Sequence, residues 1–289
     1  MAVVVLLAGH SIAKAQKNEG FRVIRWSPLR AQSGSPVLFK VELEQAADAL
    51  QGTWLNHPVV FDRIHEGNSW YALAGIDVEQ APGTYVLELS ATGPEGRAWH
   101  ARQEVAILPA HYRTTTLHVE EKYVAPDAAT QQRIAADKVV KDAAFARMIH
   151  QPLWTGNFRS PVPFTATDSF GTRRMFNGKL ASIHKGMDFH AASGTPVHAA
   201  NSGVVVLARP LYYEGNCVVI DHGLGLYTIS MHLSRIDVAE GKHVATGELI
   251  GLSGATGRVT GPHLHWAVRW RDTYLDPAKL LRLDLSGVR

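Results

Sequence analysis

"SIHKGMDFHAASGTPVHA", residues 182–199, places three histidines and an aspartate among glycine and other small residues. His184 and Asp188 are four apart. That spacing puts both on one face of a helix, and also on one face of a strand, because four is even. Gly186 between them and the flanking "NGKLAS" weigh against a helix. The expected setting is β or loop, which makes the surrounding region a β domain rather than a helical one. A His-Asp pair alone is a weak metal signal, since such pairs arise by chance.

Downstream, "TGPHLHWAV" covers residues 260–268. His263 and His265 are two apart in a run that reads as a strand, so both project to one face and Leu264 and Trp266 to the other. The preceding "GLSGATGRVTGP" lets the chain turn sharply and approach other backbone closely. It lacks the Gly-Lys-Ser/Thr ending of a phosphate-binding loop. One His-Asp pair plus one His-x-His pair supplies enough nitrogen and oxygen donors for zinc. Three protein ligands with an open fourth position make a catalytic site, and four closed ligands a structural one. His232, near the end of "LYTISMHLS", can reach the rim of the same site as a general base or hydrogen-bond donor. A satisfied structural histidine is the plainer alternative.

Further strand-like runs surround these motifs: "GVVVLAR" (203–209), "NCVVID" (216–221), "LYTISMHL" (226–233), "ELIGLS" (248–253) and "HLHWAVRW" (263–270). Gly-rich turns separate them, so residues 151–289 are expected to form a mostly antiparallel β domain with long loops. Residues 16–110 carry "PVLFKVEL", "WYALAGIDV", "GTYVLELSA" and "ARQEVAIL" between turns. This pattern predicts an Ig-like antiparallel β-sandwich. His57, His65 and His100 look isolated there. Residues 111–150 read as a linker: a strand over 113–124, then a helix opened by Pro126 and Asp127, with Ile134, Val139 and Ala143 on its apolar side. No heptad pattern is sustained.

The whole chain has 289 residues, 46% hydrophobic and 19% charged, with a formal net charge of +3. That composition is globular, neither disordered nor membrane-embedded. Lys and Arg form no dense run, which disfavours a nucleic-acid partner. The one cysteine, Cys217, lies in an apolar run, cannot form an intramolecular disulfide, and is expected to be a buried strand residue. The opening "MAVVVLLAGHSIAKAQ" is apolar, with "AKA" ending at Ala15 like a cleavage site. Residues 1–15 are therefore read as a signal-peptide remnant, hence export, against the alternative of a core strand and without a basic n-region. The run is too short to span a bilayer.

"HKGMD", then "GNCVVIDHGLGLYTISMHLS", then "GLSGATGRVTGPHLHW", in this order, resembles the M23 family of zinc metallopeptidases of the lysostaphin/LytM type. The resemblance runs from about Phe170 to Leu281. It implies a largely antiparallel β fold with one zinc ion in a groove, acting on the peptide crosslinks or bridges of bacterial peptidoglycan in the periplasm or cell envelope. It further implies zinc ligation by His184, Asp188 and His265, with His232 and His263 as the catalytic pair beside the metal. Relatives that only bind or activate typically lack some ligands, and all five residue types are present here. A catalytically silent peptidoglycan-binding or amidase-activating module is the rival reading. A regulatory envelope protein is a conceivable partner.

Arg173, Arg174 and Asn177 in "FGTRRMFNG" are candidates for binding substrate carboxylate or carbonyl groups. Some family members place an oxyanion-stabilising tyrosine in this segment, but no tyrosine occurs between Phe164 and His184. His190 is expected in the turn after Asp188, and His198, His222 and His243 as second-layer or turn-stabilising groups.

Overall fold

The computed structural model describes residues 19–64, 67–117, 127–176 and 179–288. Eight strands come first: β1 (Phe21–Ser27), β2 (Pro36–Leu43), β3 (Ala49–Trp54), β4 (His57–Val60), β5 (Asp62–Arg63), β6 (Ser69–Gly75), β7 (Gly83–Thr92) and β8 (Ala98–Ile107). They make two antiparallel four-stranded sheets, ordered β1-β2-β6-β5 and β4-β3-β7-β8. β8 alternates as a half-buried strand should, with Trp99, Ala101, Val105 and Ile107 turned inward. Phe39 of one sheet meets Trp54 of the other edge-on, ring centroids 5.4 Å apart. β2 keeps the alternation read in "PVLFKVEL" from Phe39 to Leu43, whereas β6 is buried on nearly every residue. Strands covered on both faces lose the two-residue pattern. Part of the cover comes from the far end of the chain. A Cβ on Gly75 would lie 2.7 Å from Leu275 and 3.1 Å from the Trp270 ring.

That seam also takes in His57, which the sequence leaves isolated. Its ring packs edge-on against Trp270 at 5.4 Å and its Nε2 lies 3.3 Å from the Asp272 carboxylate. Asp276 donates its backbone N–H to the Gly34 carbonyl at 2.7 Å, and Lys279 reaches Ser35 Oγ at 3.3 Å.

β9 (Thr114–Leu117) and α1 (Ala128–Ala146) connect the two halves. Asp127 caps α1 as its position predicts, accepting the Thr130 N–H at 2.7 Å. Of the strand expected over 113–124, residues 118–124 lie outside the described residues, as do residues 1–15, His65, Pro126 and Asn177.

The C-terminal half carries β10 (Ala166–Asp168), β11 (Arg173–Phe176), β12 (Lys179–Ile183), β13 (Met187–Phe189), β14 (Pro196–His198), β15 (Gly203–Leu211), β16 (Gly215–Asp221), β17 (Leu226–Leu233), β18 (Arg235–Ile236), β19 (His243–Val244), β20 (Leu249–Leu252), β21 (Leu264–Trp270), β22 (Thr273–Leu275) and α2 (Pro277–Arg282). The main sheet runs β10-β13-β21-β17-β16-β15-β19, with β22 paired to β21, and is antiparallel throughout. Two three-stranded sheets flank it, β12-β11-β9 and β14-β20-β18. The pairing of β9 with β11 is parallel, the exception to the expected antiparallel pattern, because β9 arrives from the linker rather than through a hairpin. Cys217 is buried on β16 as expected, at 1% exposure. α1 lies over the sheet with Phe145 edge-on to Tyr227 at 5.1 Å and the Arg269 guanidinium 3.8 Å from the Phe145 ring centroid. Among the described residues no helix is long and apolar enough to cross a membrane.

Candidate metal centre

Three adjacent strands deliver the site. Across the β13–β21 pair Asp188 stands opposite His265, and across the β17–β21 pair Met231 stands opposite His265. Opposed residues share a face. His232, one residue after Met231, would in a regular strand point to the other face. Its backbone is left-handed instead, φ +62°. A non-glycine residue held there costs about 1–3 kcal/mol and persists only where its surroundings over-determine it. The break in alternation brings the His232 ring beside His263, centroids 5.0 Å apart, and 6.0 Å from His265.

His184 enters from the other side. Its backbone is clamped to the preceding loop by N–H donation to the Thr172 carbonyl at 2.9 Å and by accepting the Gly171 N–H at 2.8 Å. Its Nδ1 lies 3.0 Å from the Ser169 carbonyl. A carbonyl can only accept, so Nδ1 carries the proton and Nε2 presents a lone pair. That Nε2 is 3.2 Å from Asp188 Oδ1 and 3.1 Å from His265 Nδ1, and His265 Nδ1 is 2.7 Å from Asp188 Oδ1. Burial pushes the Asp188 carboxyl up, but the two imidazoles beside it more than offset that and hold it well below the usual carboxylate range. Burial favours the neutral ring of His265 and lowers its pKa.

Two imidazole nitrogens and a carboxylate oxygen thus converge without enough protons to satisfy them all. A divalent cation resolves that conflict. His184 is buried, whereas the Asp188, His263 and His265 side chains remain 16%, 21% and 14% exposed, so one side of the cluster opens to solvent. His263 Nε2 lies 3.7 Å from Asp188 Oδ1, near the cluster but outside the tight triad. Its Nδ1 is 2.8 Å from the Gly261 carbonyl, and His232 Nδ1 is 2.9 Å from the Thr256 carbonyl. In its neutral form each ring therefore carries the proton on Nδ1 and leaves Nε2 to act as a base. Burial lowers the His232 pKa to about 4.

Gly186, read in the sequence only as a helix breaker, has a second reason. A Cβ there would lie 2.3 Å from His265 Nε2. Arg173 and Arg174 are on β11, whose hairpin with β12 leads into His184, and are not part of the histidine–aspartate cluster. Tyr112 enters from the linker and packs against Gly171, where a Cβ would lie 2.1 Å from its ring. Its hydroxyl donates to the Ser33 carbonyl at 2.6 Å, so it is engaged away from the site. His190 follows the end of β13, and buried His222 sits between the Ser202 carbonyl (2.7 Å) and Thr228 Oγ1 (2.8 Å), a structural role as expected. The carbonyls of Ser169, Thr256 and Gly261 fix the imidazole tautomers. Backbone carbonyls carry no side-chain identity, so only the fold reveals them.

Residues 182–277 match the family model described as Peptidase family M23. The chain is 48% identical over 101 residues to the peptidoglycan DD-endopeptidase ShyA of Vibrio cholerae, covering 35% of this chain and 24% of the relative. It is 42% identical over 121 residues to the DD-carboxypeptidase/endopeptidase Mpg of Neisseria meningitidis, covering 42% and 28%. These matches span only about a quarter of the length of those curated relatives. The crystal structure of a putative peptidase M23 from Pseudomonas aeruginosa superposes with a TM-score of 0.68 at 27% identity, covering 87% of this chain and 95% of that one.

Proposed function

This chain belongs to peptidase family M23 through residues 182–277, and from that premise we propose that it is a zinc-dependent endopeptidase cutting the peptide crosslinks of bacterial peptidoglycan. The observation that carries the proposal is the convergence of His184 Nε2, Asp188 Oδ1 and His265 Nδ1, mutually 2.7–3.2 Å apart, on a face open to solvent. Tetrahedral zinc with bonds of about 2.0–2.2 Å separates its ligands by about 3.3–3.6 Å, a little wider than this spacing. The two-imidazole, one-carboxylate donor set suits zinc, and a catalytic site leaves the fourth position open. Bound there, zinc would act as a Lewis acid and lower the pKa of water toward ~7.

The chain's own residues do the rest. His232 and His263 present their Nε2 atoms beside the triad, where one accepts the proton of the attacking water and the other stabilises the oxyanion. The ring that took the proton then carries it to the leaving amine, since a protonated Nε2 is a donor. A protonated Nε2 also donates to the carbonyl oxygen as negative charge builds on it. Carbonyls at Nδ1 keep both rings aimed through the cycle. Arg173 and Arg174, on the β11–β12 hairpin that leads into His184, are assigned from the sequence, with Asn177, as binders of substrate carboxylate or carbonyl groups. The DD-endopeptidases among its relatives favour a DD crosslink as the bond cut, hence action in the cell envelope after export. The sandwich and linker would position the substrate or meet a regulatory envelope protein.

The test is peptide release from purified sacculi with and without chelator, alongside zinc stoichiometry. His265→Ala is expected to lose the ion and to reduce turnover by more than the about 10²–10³ typical of one lost transition-state donor. Stoichiometric zinc in the wild type with no bond cleaved would point to a silent binding module instead.

A further inference from the structure

The left-handed His232 is held at two points. Its ring is fixed through Nδ1 by the Thr256 carbonyl at 2.9 Å, and its main chain through N–H donation to the Glu214 carbonyl at 2.8 Å. Glu214 belongs to the turn between β15 and β16, residues 212–214. That turn and the 256–258 loop grip each other. Arg258 donates its N–H to the Tyr213 carbonyl at 3.0 Å, and a Cβ on Gly215 would lie 2.4 Å from Thr256. The turn is gripped a second time from outside the sheet. Asp137 Oδ2 accepts the Tyr212 N–H at 2.6 Å, and Lys141 Nζ pairs with Glu214 Oε1, both partners largely covered at 30% and 14% exposure. Asp137 and Lys141 are four apart and so lie on one face of α1.

α1 has no fully buried residue, although Val140, Ala144 and Phe145 pack partly buried against the sheet. Its hydrogen-bonded and ionic contacts with the β15–β16 turn are these two, and the Arg133 guanidinium lies 5.6 Å from the Tyr212 ring centroid beside them. We infer that Asp137 and Lys141 are positioning residues: by holding the 212–214 turn they fix the Glu214 carbonyl, and through it the strained backbone that aims His232 at the metal centre. The inference rests on the reading of His232 as part of the catalytic pair. It gives the linker helix a role in the chemistry although none of its side chains belongs to the metal centre.

α1 supplies its own control. Lys138 and Asp142 form an i,i+4 ion pair on the exposed side, 72% and 59% exposed. The test compares Asp137→Ala/Lys141→Met with Lys138→Met/Asp142→Ala in the full chain. In metal-free protein, exchange of the His232 backbone amide is expected to quicken at least about tenfold in the first variant and stay at the wild-type rate in the second. With zinc loaded, the first variant should lose about ten- to a hundredfold in kcat on a DD-crosslinked peptide, with KM and zinc stoichiometry unchanged. Lys141→Arg should restore most of kcat, because the pair with Glu214 survives. Should the double variant fold poorly, Lys141→Met alone is expected to shift exchange and kcat the same way by less. Unchanged amide exchange, unchanged kcat, or a loss matched by the control or accompanied by loss of zinc overturns the inference. His232→Ala separates the two readings. If it is inactive while the double variant keeps wild-type kcat, only the positioning role fails. If it turns over at the wild-type rate, the assignment of His232 fails first, and the positioning role with it.

Discussion

The two halves of the molecule solve the same architectural problem with different interiors. Among the described residues of the N-terminal sandwich, the buried polar side chains are Ser33 and Ser35, and rings such as Phe39 and Trp54 fill the space between sheets. The C-terminal sheet buries His184, His222, His232 and Asp221 as well as hydrocarbon. Its paired rings are also imidazoles, His184 with His265 at 4.9 Å and His232 with His263 at 5.0 Å. Burying an imidazole or a carboxylate costs free energy unless its polar atoms find partners. One half therefore spends its packing on stability, and the other tolerates costly groups where a cation and a substrate can use them. The seam through His57, Trp270, Gly75 and Leu275 joins the two.

The sharpest way to break this contrast is Asp188→Ala. It removes the only carboxylate of the triad and leaves two imidazole nitrogens 3.1 Å apart. Metal binding should fail and turnover fall by about 10³-fold or more, while the unfolding midpoint of metal-free protein stays close to wild type. Zinc stoichiometry and urea titration read both. Trp54→Ala is the mirror experiment. Trp54 is fully buried and its Nε1–H donates to the Gly75 carbonyl at 3.0 Å, so stability should drop by about 3–5 kcal/mol in urea unfolding while zinc still binds one per chain.

Gly186→Ala probes the point where backbone economy meets chemistry. The new Cβ must displace the His265 ring, so metal affinity should fall about 10- to 100-fold by competition with a chelating dye, without unfolding the sheet.

The smallest effect is a pH dependence far from the metal. Burial raises the Asp221 pKa to about 6, so the folded state binds its proton more tightly than the unfolded chain. That contribution is fully present below the unfolded pKa near 4 and is lost as pH rises through 6. Burial lowers the His222 pKa to about 4, so its contribution has the opposite sign and is lost as pH falls from the unfolded value near 6.5. The two oppose each other between pH 4 and 6. Asp221→Asn should therefore make acid destabilisation steeper than in wild type by about 1–3 kcal/mol over that window, measured by urea unfolding at each pH.

Legibility differed from residue to residue. His184 and Asp188, and His263 and His265, are close in sequence, so local spacing placed each pair on a common face before any fold was known. Asp127 was legible as a cap for the same reason. His232 was nominated from its place near the end of a strand-like run, but its orientation was not legible, because a regular strand would send it to the face opposite Met231 and a left-handed backbone returns it. β2 keeps its alternation from Phe39 to Leu43, whereas β6 loses it, with Gly75 at its end covered by Leu275 and Trp270 about two hundred positions away. His57 looked isolated because Trp270 and Asp272 reach it only across the seam.

The sequence by itself determined the element type of the C-terminal half, nominated the five titratable side chains, and carried the resemblance to the family that residues 182–277 match. Spacing within a strand and the chemistry of a side chain are properties of the chain itself. Tertiary structure alone decided which nitrogen of each imidazole is free, how His232 is turned, why residue 186 must lack a side chain, and that helix α1 grips the turn beneath His232. Each of these depends on a carbonyl, a ring or a turn brought close by folding, and proximity in space is not written in any local stretch of residues.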